Sequence, residues 1–450
     1  MTPFRASLRE PAAVVAAVVW WLLIALPLGV CVGSCVALFL ACMEAATKLR
    51  MDHPEVLWLL PAMGGCIGWL YWSVGKSVEL GHNLVVDEIH SPGGGVPLRM
   101  APLILISTVA THLCGGSAGR EGTAIQMGGS LAGGIARLIP WLDRSDVPAI
   151  LMAGVAAGFS SVFGTPVAGM VFSLEVLAIG RMRYGAILPC MLAAVVSDQT
   201  CRAWGITHVH YSLAPVLAAT AEGQFTSQHW FLLACAVVGG GLFGLTSVVF
   251  TTFTHGIEWL GKRYVTGTRS IPGAILRPIV GGCLVIAMVQ MLGTRDYLGL
   301  GVTSPDPDAV TIVTAFRPGG AQAWSWWWKI LFTSVTLGSG FKGGEVTPLF
   351  FIGATLGNTL ATLTGAPVDL LAALGFVSVF AGATNTPIAC TLMAIELFGG
   401  ENSLFFAVSC VMAYGCSGHT GIYRAQRIDT PKAQASPASV DMAPWHHGTP

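Results

Sequence analysis

The chain has 450 residues, of which 53% are hydrophobic and only 10% charged, against about 25% charged residues in an ordinary soluble domain. So few charges cannot cover the surface of a soluble protein, and a formal net charge of zero excludes a nucleic-acid binder that uses a broad basic face. High hydrophobicity likewise excludes a disordered chain. The composition therefore predicts an all-α polytopic membrane protein.

The N-terminal apolar run, 12–46, is much longer than the roughly 7–15 apolar residues of a signal peptide, and it predicts a retained membrane helix. A spanning helix needs about 20 apolar residues, but several later runs are shorter or longer, and 56 glycines and 25 prolines interrupt them. This pattern predicts tilted, broken and re-entrant helices, as in transporters. The later apolar runs are 55–75, 98–114, 147–180, 185–200, 228–254, 272–292, 325–337, 347–364, 370–398 and 403–416.

Basic residues cluster near the N-terminus, at 48–50, at 181–183, at 262–263 and at 424–432. The positive-inside rule then predicts that both termini are cytoplasmic. The polar, Pro- and Ala-rich segment 426–450 predicts a disordered tail, which leaves 1–425 as one transmembrane transport domain.

Two pairs of segments indicate an internal duplication. Residues 151–177 match 372–398 at an offset of 221, and 121–133 match 345–357 at an offset of 224. Two halves with paired broken helices are typical of secondary transporters whose site lies near mid-membrane. We expect inverted halves at roughly 15–205 and 228–425.

Three stretches combine glycines with polar residues just before an apolar helix: 81–85, 119–123 and 343–348. Glycine allows sharp turns, and the helix that follows directs its positive dipole end toward the turn. Several such N-termini that converge form an anion site without a full positive charge. Capping of helices at the membrane surface is the alternative interpretation.

A carboxylate in a membrane interior indicates function, and two lie in these stretches. Glu121 begins a helix, so an anion that takes its place requires it to move or to protonate; we expect it to be the gate and proton carrier. Glu345 is its repeat counterpart, and we expect a second acidic group on the ion and proton path. Protonated carboxyls donate hydrogen bonds to halides, and fluoride is the strongest acceptor among them.

Other polar residues are expected to have structural roles. His112 lies on an apolar helix face, and the repeat-related Glu175 and Glu396 are expected to bond backbone or basic groups at helix ends. The acidic residues and histidine of 87–90 match no strong metal-ligand spacing, and the 12 cysteines form no CxxC pair. The sequence predicts neither a metal nor a cofactor.

The order of these motifs resembles the CLC family of chloride channels and anion/proton antiporters over roughly 15–425. GREGT at 119–123 resembles the family signature G(K/R)EGP, GGEVTP at 343–348 stands where the family has GGxFxP, and GHNLV at 81–85 takes the slot of GSGIP. Tyr423 falls where the family has its central tyrosine. The resemblance implies a homodimer with one ion pathway per subunit.

The departures from the family pattern are informative. Val176 replaces the second glutamate of the helix after GREG, where chloride/proton antiporters have their internal proton-transfer residue. This change, together with GREGT and the acidic GGEVTP, is similar to the fluoride-exporting subgroup, although His82 departs even from that subgroup. The resemblance thus implies fluoride export in exchange for protons across a bacterial inner membrane. The expected anion-binding residues are His82, Asn83, Gly119, Arg120, Gly122, Thr123, Gly344, Val346, Thr347 and Tyr423.

Three alternatives remain at this stage. A chloride/proton antiporter and a passive anion channel would use the same fold, because fold does not fix mechanism. An intramembrane serine protease is disfavoured, although 415–418 reads GCSG: its serine needs a histidine base on a later helix, and only His419, His446 and His447 follow Ser417.

Overall fold

The structure is a computed structural model that describes residues 3–209, 211, 213, 226–268 and 271–432, with side chains from Val14 onward. Helices dominate this part of the chain, which confirms the predicted all-α class. The α-helices are α1 (Pro3–Asp52), α2 (Leu60–Ser73), α3 (His82–His90), α4 (Met100–Leu113), α5 (Glu121–Arg137), α6 (Val147–Phe163), α7 (Pro166–Glu175), α8 (Ile187–Ala203), α9 (Ser227–Tyr264), α10 (Gly273–Leu292), α11 (Ser325–Gly338), α12 (Val346–Thr364), α13 (Val368–Thr384), α14 (Pro387–Phe398) and α15 (Ser403–Cys416).

Four 3₁₀ turns and two short strands complete the described elements. The strands β1 (Ala178–Ile179) and β2 (Arg427–Ile428) pair in parallel. The 3₁₀ turns are Pro54–Leu59, Lys76–Val78, Tyr184–Ala186 and Thr314–Phe316.

The helices vary widely in length. Within the described ranges, five segments are long and apolar enough to cross a membrane: Val14–Asp52, Pro54–Ser73, Ser227–Tyr264, Gly273–Leu292 and Val346–Thr364. Several others have only 10–17 residues, about half to most of a membrane span. The prediction of broken helices is therefore confirmed.

The duplication is visible in the backbone. Helix α6 ends at Gly164 in the left-handed conformation (φ 72°), and α7 begins two residues later. Helix α13 ends at Asn385 in the same conformation (φ 58°), and α14 begins two residues later. Three helices, α5–α7, thus correspond in order to α12–α14. The inverted orientation of the halves stays a prediction.

Glycines bring the helices of each half into backbone contact. A Cβ on Gly154 of α6 would overlap the carbonyl oxygen of Gly128 on α5, and a Cβ on Gly375 of α13 would overlap that of Gly353 on α12. Only residues without a side chain permit this approach, which is typical of membrane helix packing. These contacts fix α5 and α12, the helices that follow two of the glycine motifs.

Two repeat-related glutamates join the halves reciprocally. Glu175 at the end of α7 accepts hydrogen bonds from the N–H groups of Ile388 (3.1 Å) and Ala389 (2.8 Å) in the first turn of α14. Glu396 near the end of α14 accepts the N–H groups at 167 (3.0 Å) and 168 (2.8 Å) in the first turn of α7. The first N–H groups of a helix have no partner within the helix, so each carboxylate satisfies donors of the other half. Their predicted structural role is confirmed.

The predicted disordered tail, 426–450, includes residues that have regular contacts in the structure. Arg427–Ile428 pair with Ala178–Ile179, and the Lys432 ammonium donates to the Asn385 side chain at 2.5 Å. Tertiary partners distant in the sequence order this polar segment, so the prediction of disorder is wrong for 426–432. Residues 433–450, which include His446 and His447, lie outside the described residues.

Candidate functional site

Two of the three glycine motifs meet directly. The N–H of Gly119 donates to the Gly344 carbonyl at 2.6 Å, and the N–H of Gly344 donates to the Gly119 carbonyl at 2.7 Å. Both positions are closed to side chains: a Cβ on Gly119 would lie 3.0 Å from the Thr347 nitrogen, and one on Gly344 would lie 2.8 Å from the Gly122 nitrogen. This antiparallel bridge brings the N-termini of α5 and α12 together.

The Glu121 carboxylate lies between these helix ends. Its Oε2 accepts the backbone N–H of Thr347 at 3.0 Å and that of Arg120 at 3.0 Å, and its Oε1 accepts the Thr347 hydroxyl. The residue is buried, 2% exposed, and the Arg120 Nε lies 3.8 Å from Oε1. Backbone donors, a helix dipole and a guanidinium therefore all converge on one carboxylate, an arrangement that suits any small anion.

Glu345 lies differently from its repeat counterpart. It occupies the N-cap of α12, but its side chain does not cap the helix. The carboxylate lines a cavity of about 940 Å³, and within the described ranges it has no hydrogen bond or ion pair. It is thus available to protons and ions in the cavity.

His82 and Tyr423 also line this cavity. Their rings stack with centroids 4.2 Å apart at an interplanar angle of 17°, and both residues are buried. Among the described residues, no hydrogen-bond partner reaches either ring nitrogen of His82 or the Tyr423 hydroxyl. Buried polar atoms without partners are rare and require an explanation; donors aimed at a transported ion would provide one.

Two predicted ligands have other partners. The Thr123 hydroxyl pairs with Thr108 at 2.7 Å, so its predicted role as a hydroxyl donor to the ion is not supported. The Asn83 Oδ1 accepts the backbone N–H of Ala425 at 3.0 Å, which ties the start of α3 to the segment that carries Tyr423. The Val346 side chain is buried in the core.

His112 has the predicted structural role. Its ring nitrogens lie 2.8 Å from the Thr108 carbonyl and 2.9 Å from the Ala118 carbonyl. It thereby fixes the loop before Gly119 to the end of α4. Val176, at the position of the missing internal glutamate, is buried, and its carbonyl accepts the Gln426 amide at 3.0 Å.

Sequence reasoning missed several residues of the site. Lys342 lines the cavity with its ammonium 4.2 Å from the Tyr71 ring centroid. Glu258, also at the cavity, accepts Lys262 and Arg424, each at 2.6 Å. Lys342 directly precedes the glycines of the third motif, which is the one sequence signal that could have indicated it.

The fold and site define a class: a polytopic membrane protein in which two helix N-termini converge on a buried carboxylate beside a polar cavity. Residues 63–418 match the voltage gated chloride channel family. Because this match covers more than half of the chain, the chain belongs to the CLC family, and its membrane location follows.

Particular relatives refine this picture. The chain is 49% identical over 414 residues, 91% of this chain and 86% of the relative, to a chloride/fluoride channel protein of Pseudomonas syringae pv. tomato. It is similar to the crystal structure of a CLC-type fluoride/proton antiporter, with a TM-score of 0.81, 32% identity and coverage of 91% of this chain and 98% of that one. The fold is also similar to that of a slow cyanobacterial Cl⁻/H⁺ antiporter, with a TM-score of 0.74, 18% identity and coverage of 90% and 96%.

The unpartnered hydroxyl of Tyr423 yields a stability prediction. Tyr423→Phe keeps the stack on His82 and removes a buried polar atom without a partner. We expect the variant to be more stable by about 1 kcal/mol, measured as a higher midpoint of thermal unfolding in detergent micelles. A lower midpoint would mean that the hydroxyl has a stabilising partner.

Proposed function

We propose that this chain is a secondary active anion transporter that exports fluoride in exchange for protons. The single observation that carries the proposal is the Glu121 carboxylate, held by donors from both halves at the N-terminus of α12. It occupies the position in which the backbone would bind an anion.

The coupling follows from competition. Hydrogen bonds to a charged group contribute roughly 1.5–3 kcal/mol each, and three of them hold the Glu121 carboxylate. Protonation removes the charge that the helix dipoles attract, so the neutral side chain leaves its place more easily. An anion therefore enters this position when Glu121 is protonated and has moved out of it.

Glu345 provides the second proton site in this proposal. Its carboxylate faces the cavity without a protein partner, whereas Val176 leaves no acidic group at the usual internal position. A protonated Glu345 would donate to fluoride within the cavity. The Tyr423 hydroxyl, the Thr347 hydroxyl and a His82 N–H would add donors, and these favour fluoride because it accepts hydrogen bonds most strongly among halides.

A passive chloride or fluoride channel is the second candidate. Two observations favour it: the relative from P. syringae is named a channel protein, and Val176 replaces a proton-transfer residue. A chloride/proton antiporter is the third candidate.

The proposal makes the protein a transporter and not an enzyme. The Ser417 hydroxyl supports this because it contacts Lys432 (3.0 Å) and the Tyr414 carbonyl (3.0 Å) in a structural network.

The proposed setting is a bacterial inner membrane, with both termini cytoplasmic and two copies per assembly. If α1 and α2 each cross once, the 3₁₀ turn Lys76–Val78 lies on the same side as the N-terminus. That turn borders the cavity. The cavity then opens to the cytoplasm, as an exporter requires for loading its ion.

Transport by the purified protein in liposomes tests the proposal. With fluoride inside, we expect fluoride efflux faster than chloride efflux and proton uptake against a proton gradient. Equal or faster chloride flow with proton coupling would identify a chloride/proton antiporter. Anion flow without proton movement would identify a channel.

Glu121→Gln tests the gate. The amide keeps the size of the side chain but does not titrate, so we expect proton movement to fall to the level of empty liposomes. Proton pumping by this variant would contradict the assignment. Glu88→Gln is a matched control, because Glu88 accepts a backbone N–H (Gly93, 2.8 Å) away from α12, and we expect it to retain coupled transport.

Glu345→Ala tests the second acidic group. Because this carboxylate makes no hydrogen bond within the described part of the chain, we expect fluoride efflux to fall by more than about tenfold, while the unfolding midpoint changes little. The measurement is the initial efflux rate at matched protein density, with thermal unfolding alongside. An unaltered rate would return Glu345 to a purely structural role.

A further inference from the structure

The last described segment lines the cavity at residues 422–425, which include Tyr423. We name residues 419–432 the C-terminal strap. The strap's backbone is tied to three elements: Ile422 N–H donates to the Ala383 carbonyl at 2.9 Å, Ala425 N–H donates to the Asn83 side chain at 3.0 Å, and β2 pairs with β1.

One residue outside the strap contacts it at three points. The Nδ2 of Asn385 donates to the Gln426 Oε1 at 2.9 Å and to the Thr420 carbonyl at 3.4 Å, and its Oδ1 accepts the Lys432 ammonium at 2.5 Å. Both functional atoms of this carboxamide therefore hold the strap. Asn385 is also the one non-glycine residue with positive φ among the described residues.

Gln426 and Lys432 extend this hydrogen-bond network to the ends of neighbouring helices. The Gln426 Nε2 donates to the carbonyls of Val176 (3.0 Å) and Thr384 (2.9 Å). The Lys432 ammonium also donates to the Tyr414 carbonyl at 2.6 Å and to the Ser417 hydroxyl at 3.0 Å. The strap is thus bound to the ends of α7, α13 and α15 by two side chains that follow Tyr423 in the sequence.

Comparison of the two repeats shows how Asn385 differs from its counterpart in the first half. Its counterpart in the first half is Gly164, with φ 72° against 58°. Glycine is the least strained residue in this left-handed conformation, so the backbone alone does not require asparagine. The second half has a side chain here, and that side chain binds the strap.

We propose that Asn385, acting through Gln426 and Lys432, is a positioning residue that holds the Tyr423 hydroxyl at the ion path. It touches neither the ion nor Glu121. The proposal rests on the proposed role of Tyr423 as an ion donor and adds the residue that keeps the donor in place.

Asn385→Gly tests this directly. Glycine accepts the left-handed backbone, as Gly164 does, so the turn between α13 and α14 is retained while both anchors of the strap are lost. We expect the half-saturating anion concentration to rise about three- to tenfold, with a smaller change in maximal rate. Gly293→Asn is the control, because it places asparagine at another left-handed helix end (φ 68°) with open space around it, and it should transport like the wild type.

A double variant separates positioning from general destabilisation. If Asn385 acts through the Tyr423 hydroxyl, Asn385→Gly will not raise the half-saturating concentration further in a Tyr423→Phe background. Additive effects, or wild-type transport by Asn385→Gly, would overturn the inference. If the glycine variant does not fold, Lys432→Met removes one anchor and is subject to the same double-variant test.

The outcomes distinguish this inference from the function on which it rests. Wild-type protein without proton coupling, or Tyr423→Phe with unchanged anion transport, would contradict the proposed function. An impaired Tyr423→Phe together with an unimpaired Asn385→Gly would contradict only the positioning role.

Discussion

The structure depends on one constraint: two helix N-termini, each the positive end of a helix dipole, must meet inside a membrane protein. The bridge between Gly119 and Gly344 satisfies the constraint with two backbone hydrogen bonds. It leaves the Thr347 N–H, in the first turn of α12, and the Arg120 N–H directed at a common point. Only an anion satisfies such a point, and in this structure the Glu121 carboxylate does so.

The two pairs of repeat-related glutamates show how function arises from broken symmetry. Glu175 and Glu396 cap each other's helices, so both carboxylates are saturated and serve structure. Glu121 caps α12 in the same way, but Glu345 does not reciprocate and faces the cavity. One member of this pair is thus bound, and the other has no hydrogen-bond partner among the described residues.

The sequence was sufficient to predict the helical fold and the convergence of helix N-termini, because apolar runs and glycine motifs are read from short stretches. It was sufficient for the duplication because the two halves repeat the same short motifs in the same order. It was insufficient for Thr123, whose hydroxyl turns to Thr108, and for the segment 426–432, which looks disordered alone. The strap's partners, such as Asn83 for Ala425, lie as far as 342 residues away. No local signal reports contacts of that kind.

The differences between the halves also bear on transport. A pore that conducts passively has no need for a bound carboxylate in its anion place, since the three hydrogen bonds on Glu121 oppose every ion that enters. The same bonds become useful when protonation weakens them, because entry of the ion then depends on a proton. In the proposed exchange, the strength with which the site holds its own glutamate would couple entry of the ion to a proton, in place of free flow.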